Sequence, residues 1–226
     1  MELYETFPDV AEAVRAQSAL RDQLDLTNSL PTAPEFVAGL DVSYEVDSRY
    51  AAAAAVLIEL RSLEVRETAI AYGEVTFPYV PGLLAFREVP ILREALGKLS
   101  GQPDVLVCDG YGVAHPRRFG LACHIGVATG LPSFGVAKSP FGMEFVDPGP
   151  RRGDWSPIVD DGEVLGRALR TQDGIKPVFV SVGHRVGLDQ ATELTLKLSR
   201  EFRLPEAIRK ADFLSRQELR RRRGVG

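Results

Sequence analysis

The chain has 226 residues, 45% hydrophobic and 26% charged, with a formal net charge of −4. That supports a real core in one large domain or two small ones. It contains no apolar run of the roughly 18 residues that span a membrane, and the polar, acidic stretch Met1–Leu30 does not read as an export signal, so a cytoplasmic, membrane-free protein is expected.

Residues 8–27 have helical spacing, with Val10, Val14, Leu20, Leu24 and Leu26 apolar and charges between them, and Pro31 and Pro34 close the segment. Three strand-like runs follow, Phe36–Tyr44, Tyr50–Leu60 and Val65–Phe77, joined by connectors short enough for hairpins. The second run is rich in alanine, and its small side chains would let a helix pack closely on the sheet. Pro78-Tyr79-Val80-Pro81-Gly82 is a stiff, extended interruption. A helix is expected over Leu83–Leu99, bending at Pro90 and carrying Glu88. Val105–Asp109 is continuously apolar before its acid, as in a strand buried on both faces.

A loop then leads to Phe119 and a helix to Thr129, which Gly130-Leu131-Pro132 stops. Pro132–Lys138 reads as a fifth strand, Asp154–Leu169 as a hairpin turning at Asp161-Gly162, and Pro177–Val182 as a further strand. Two helices, Leu188–Phe202 and Pro205–Arg220, end the chain. The order is an antiparallel three-stranded unit followed by helix–strand–helix–strand. It predicts an α/β fold with a mixed central sheet and helices on both faces. No linker or repeat divides residues 1–226, so a single domain is expected.

Chemistry is concentrated at strand ends. Asp41 follows Phe36-Val37-Ala38-Gly39-Leu40, and Asp109 follows Val105-Leu106-Val107-Cys108. A buried carboxylate without a partner costs several kcal/mol, so it is normally paired or bound to metal. Two such acids on neighbouring strands, with Glu88 on a helix, can hold Mg²⁺ against a phosphodiester. Taken singly, each reads rather as a turn cap; the two together, with their flanking residues, point away from that. Zinc has little support: Cys108 and Cys123 sit among apolar neighbours as reduced core residues, and neither Cys-x-x-Cys nor His-Glu-x-x-His occurs. From Arg200 to Gly226 nine Lys/Arg face four Asp/Glu, a local +5 that leaves −9 elsewhere. The run Arg220–Arg223 is either a phosphate-attracting tail or a solvated helix end favoured by the helix dipole.

Four segments, in order, resemble motifs of the endonuclease V family of repair nucleases. They are Gly39-Leu40-Asp41-Val42-Ser43-Tyr44, Pro78–Glu88, Asp109–Ala122 and Gly135-Val136-Ala137-Lys138-Ser139, within a likeness running from about residue 8 to 215. The resemblance implies an RNase H-like fold and Mg²⁺-dependent cleavage, with Mn²⁺ as substitute, of DNA containing deoxyinosine. The cut would fall at the second phosphodiester 3′ to the lesion and leave 3′-hydroxyl and 5′-phosphate ends. Some family members prefer inosine in RNA, and a monomer is expected.

The same resemblance gives Asp41 and Asp109 as metal ligands, with Glu88 a ligand directly or through water. Pro205–Asp212 is similar to the family's C-terminal helix motif, although its middle departs from the commoner Pro-Thr-Arg, and it implies Asp212 as a fourth carboxylate. Lys138 would contact the scissile phosphate or the leaving oxygen. Tyr79, held by Pro78, Val80 and Pro81, would be a wedge filling the place of a displaced base, a buried aromatic staple being the alternative. His115, Arg117 and Arg118 would line the nucleic-acid groove. Gly110, Gly112, Gly120 and Gly135 could allow close backbone approach to the base. His124 reads as a satisfied helix residue and His184 as ambiguous.

Overall fold

A computed structural model describes residues 9–27, 30, 31 and 33–224. Pro8, expected to begin the first helix, and residues 1–7 of the polar N-terminal stretch lie outside the described residues. Helix α1 (Val10–Arg21) starts where the Asp9 side chain accepts from Glu12 N at 2.7 Å, an N-cap. It ends earlier than its apolar spacing predicts, at a turn beginning with Asp22.

Strands β1 (Phe36–Tyr44), β2 (Tyr50–Glu59) and β3 (Val65–Glu74) form the expected antiparallel unit. Helix α2 (Leu84–Gly97) runs through Pro90, which lies on its exposed side. Then come β4 (Val105–Cys108), α3 (Leu121–Thr129) and β5 (Ser133–Ala137). Gly130, at φ 72°, stops α3 in the left-handed conformation that glycine adopts without penalty. The two-residue strand β6 (Glu144–Phe145) was not legible in the sequence. β7 (Trp155–Asp160) and β8 (Glu163–Leu169) make the expected hairpin, with Asp161 and Gly162 both at positive φ, as a type I′ turn requires.

β9 (Val178–His184) precedes α4 (Leu188–Leu198) and α5 (Glu206–Arg223). α4 stops short of Phe202 because its last carbonyls are taken by side chains. Arg152 donates to Leu196 O at 2.6 Å and Ser199 O at 2.7 Å, and Gln172 donates to Ser199 O at 2.8 Å.

All nine strands join one sheet in the order β3-β2-β1-β4-β5-β9-β8-β7-β6. β1, β4 and β5 are parallel, in a register that places Leu40, Cys108 and Gly135 side by side. Strand alternation sends Val37 and residues two apart toward one face and Ala38 and its series toward the other. On the first face Ala54, Val56 and Ile58 pack with Ala207, Ile208 and Ala211 of α5. On the second, Ala51, Ala53 and Ala55 pack with Val89, Leu92 and Ala95 of α2. The alanine-rich strand thus takes a helix on each side. The closest approach is at Gly39, where a Cβ would lie 2.3 Å from the backbone of Ala207. Only glycine lets α5 come this near β1. This mixed sheet covered on both faces is the RNase H-like fold.

Candidate active site

The C-terminal ends of the three parallel strands carry the chemistry. Asp41 lies one residue beyond Leu40 in β1, Asp109 directly follows β4, and Lys138 directly follows β5. In open α/β sheets this edge is where ligands bind. α2 brings Glu88 to it from one face, and α5 brings Asp212 from the other. These five residues line one open cleft of about 510 Å³.

Asp41 is the electrostatic centre. Its carboxyl is pushed up to about 7, first by burial, then by the charges of Asp109 and Asp212, while Lys138 and a hydrogen bond from Ser215 pull it down. Ser215 Oγ lies 3.2 Å from Asp41 Oδ2 and 2.7 Å from Ser43 Oγ, which ties α5 to β1 beside the acid. Glu88 is buried and pushed up to about 8, chiefly by burial and further by Asp41 and Asp109. Tyr44 opposes that shift by donating its hydroxyl to Glu88 Oε1 at 2.9 Å. Arg87, next to Glu88 on α2, donates to Phe77 O at 2.7 Å and lies over the Tyr44 ring at 4.6 Å. Asp212 accepts from Arg216 Nε at 2.9 Å.

Lys138 Nζ donates to Asp109 Oδ2. Burial lowers the Lys138 ammonium, but the hydrogen bond and charge of Asp109, with Asp41 and Asp212, outweigh it and hold it above its ordinary value. Asp109, Asp41 and Asp212 therefore share this one ammonium, while the buried Glu88 adds its charge through Asp41 and Asp109. Such a donor set, all hard oxygen, fits a hard divalent cation. Among the described residues no three His, Cys, Asp or Glu side chains are gathered as a ready-made metal cage. Mg²⁺ needs none, because it commonly takes one or two carboxylates and completes its shell with substrate phosphate and water.

A second cleft of about 320 Å³ adjoins the first and shares Asp109, Leu121 and Lys138 with it. It is lined by Tyr79, Pro81, Leu84, Tyr111, His115 and Phe141 among others. Phe141 meets Tyr111 edge-on at 5.0 Å and His115 at 5.3 Å. Tyr79 is 70% exposed at this cleft, so it is no buried staple. His115 is buried, and that burial, with Arg117, pushes its imidazole down to about 4.

The arginines after His115 are engaged with the protein. Arg117 donates to Gly82 O at 2.6 Å and to Gln17 Oε1, and Gln17 itself reaches Gly82 O and Phe119 O. Gly82 has φ 80°, and a Cβ on it would strike Arg117 Nη2 at 2.5 Å. Arg118 pairs with Asp160 at 2.8 Å and Glu163 at 2.9 Å. Both therefore fix the loop that bears His115. The glycines behave similarly. Cβ atoms at Gly112, Gly120 and Gly135 would collide with Val182 O, Tyr111 O and Gly110 O respectively, so these three serve backbone packing within the protein. Gly110 is the less crowded of the set.

Cys108 and Cys123 are buried and unbonded to each other, and burial raises both thiols. His184 accepts from Asp25 N at 3.2 Å, joining β9 to the segment after α1. His124 packs edge-on to Phe86 at 4.8 Å inside the core. Sequence reasoning gave no role to Tyr44, Ser215, Arg216 or Phe141. Of these, Tyr44 was the most accessible, three residues from Asp41 on the opposite face of β1.

The family model described as Endonuclease V matches residues 18–213. The endonuclease V of Streptomyces avermitilis is 51% identical over 216 residues, covering 95% of this chain and 94% of the relative. The crystal structure of Bacillus subtilis endonuclease V superposes with a TM-score of 0.93 at 32% identity, covering 100% and 99% of the two chains. Endonuclease V of Ciona intestinalis, solved with a 24-mer DNA containing an inosine followed by a ribo-adenosine, superposes with a TM-score of 0.82 at 28% identity, covering 94% and 98%.

Proposed function

Because the chain belongs to the endonuclease V family, we propose that it is a DNA repair endonuclease that hydrolyses the second phosphodiester 3′ to a deoxyinosine, with Mg²⁺ or Mn²⁺ as cofactor. The observation carrying this is the pairing of two adjoining clefts, one lined by Asp41, Glu88, Asp109 and Asp212, the other apolar and aromatic. The first suits a phosphodiester and a divalent cation, the second a flat, uncharged base. Asp41 and Asp109 are the ligands of that cation, with Glu88 completing its surroundings directly or through water. When bound, the cation supplies charge neutralisation at the phosphate and activates water.

The protein's own groups do the rest. Asp212, beside Arg216, completes the acidic wall from the α5 side. Lys138 leaves Asp109 and turns its ammonium to the scissile phosphate or the leaving oxygen, where a fixed cation stabilises developing charge. Tyr79, on its Pro78–Pro81 segment, enters the stack where the lesion is displaced, and the displaced base enters the cleft lined by Tyr111, His115 and Phe141. The neutral His115 imidazole suits such a base, since it presents a hydrogen-bonding edge without a charge. The whole chain acts as one domain and one monomer, in the cytoplasm.

Inosine-containing RNA is the alternative substrate; the Ciona relative, solved with DNA carrying a ribo-adenosine just after the inosine, motivates testing it. The deciding assay compares inosine and adenosine duplexes, and matched inosine RNA, in Mg²⁺, in Ca²⁺ and without metal, with product ends mapped. Nicking confined to inosine strands in Mg²⁺, with 3′-hydroxyl ends one nucleotide past the lesion, is expected. Ca²⁺ should support binding without cleavage, since it prefers larger and looser coordination. Release of free hypoxanthine would instead make the protein a glycosylase.

A further inference from the structure

The four consecutive arginines that end α5 are alike in sequence and unlike in place. Arg221 donates to both oxygens of Glu218 at 2.8 Å, and Arg222 donates to Glu218 Oε1 at 2.6 Å while lying over the Tyr72 ring at 3.8 Å. These two guanidiniums are consumed by the protein. Arg220 and Arg223 point the other way, into the cleft that holds Asp41, Asp109 and Lys138, and Arg216 joins them there. Positions 216, 220 and 223 are spaced by four and three, one face of a helix.

Little within the protein balances that face. Among the described residues the Arg220 side chain has no hydrogen bond or ion pair. Arg223 has only Glu45, at a long 3.8 Å. Arg216 gives its Nε to Asp212. Arg216 and Arg220 also line a further cleft of about 500 Å³, shared with Lys138, Asp212 and Phe213. Cations therefore continue from Lys138 along α5 across both openings. Like charges at this spacing disfavour a bare helix, and here helical phase aims them at the cleft that holds the acids.

We propose that Arg216, Arg220 and Arg223 form a phosphate-binding face that holds the sugar-phosphate backbone of the substrate strand against the acidic cleft, an inference that rests on the nuclease reading above. The guanidinium fork matches phosphate oxygens in bidentate fashion, and contacts of this kind position a strand without reading its sequence.

The test is the salt dependence of binding to an undamaged duplex, with Ca²⁺ held constant and KCl varied. Each lost phosphate contact lowers the slope of log K against log salt by about 0.9. The double variant R220A/R223A should therefore flatten the slope by about 1.8, and R220K/R223K should recover most of it. R221A/R222A, equal in charge change, should leave the slope unaltered. Equal flattening by both alanine pairs would mean undirected charge and overturn the face, as would an unchanged slope in R220A/R223A. Because neither lesion nor cleavage enters the measurement, a slope flattened only by R220A/R223A in a protein that cuts no inosine strand would uphold the face and sink the nuclease reading.

Discussion

Tyr44 donates its hydroxyl to Glu88 Oε1 at 2.9 Å, joining β1 to α2 behind the acids. The bond favours the charged carboxylate against the burial that opposes it. Tyr44→Phe keeps the ring and removes the donor, so Glu88 should hold its proton to higher pH. A hydrogen bond of about 1–1.5 kcal/mol corresponds to roughly one pH unit. The acid limb of the kcat profile should shift up by about that much, with several-fold loss near neutrality and recovery in alkali. A uniform loss at every pH would mean that Tyr44 only supports packing.

Asp41 and Glu88 should make the metal-free protein weaker as pH rises. Their ordinary values of 3.8 and 4.5 become about 7 and about 8 in the fold. The unfolded chain therefore releases these protons first. Stability present below about pH 4 is lost progressively as pH rises toward 8. Asp41→Asn removes one of the repelling charges while its amide oxygen can still accept from Ser215. The variant should match wild type near pH 4 and melt higher at pH 8 without metal, by about 2–4 °C per kcal/mol. Cleavage should be nearly abolished. Mg²⁺ should stabilise wild type more at pH 8 than at pH 5, because its ligands must be deprotonated. A melting gap independent of pH would sink this account of the cluster.

Lys138 and a bound cation compete for Asp109. Lys138→Met should lower the Mg²⁺ concentration for half-maximal rate, since the built-in counter-ion is gone. The same change should reduce kcat by about 100-fold or more if the ammonium stabilises charge at the phosphate. A Mg²⁺ titration of the rate reads both effects. Tighter Mg²⁺ dependence with kcat unchanged would make Lys138 a counter-ion and nothing more.

The strand-end acids were legible because an acid closing an apolar run contradicts the local pattern, and the fold follows from strand and helix periods that hold along most of the chain. The partners of those acids were not legible. Ser215 reaches Asp41 only because Gly39 lets α5 approach β1, a relation spanning more than 170 residues. The partners of the basic residues were hidden for a related reason. Arg117 and Arg118 look like a groove lining, yet Gln17, Gly82, Asp160 and Glu163 claim them from distant elements. In the run Arg220–Arg223 identity is constant and only helical phase separates the engaged pair from the cleft-facing pair. Strand β6 was missed because two residues are too few for a period.

Tyr79 and Arg117 should separate recognition from stability. Tyr79 is 70% exposed between prolines that restrict its backbone, so Tyr79→Ala should barely change the melting temperature. Stacking of an aromatic ring on a base contributes roughly 1–3 kcal/mol, so the ratio of inosine to adenosine duplex affinity should fall by about tenfold. Single-stranded inosine should suffer less, having no stack to fill, and high enzyme concentration should restore part of the duplex cleavage. Arg117→Ala should do the reverse. It removes one of the two donors to the Gly82 carbonyl and the donor to Gln17 Oε1, and loss of charged hydrogen bonds should cost about 2 kcal/mol, or roughly 4–8 °C. Its discrimination should fall only as far as the Pro78–Gly82 segment loosens. A steep melting loss in Tyr79→Ala with an unchanged affinity ratio, measured at one salt concentration, would show that the ring supports the fold and not the lesion site.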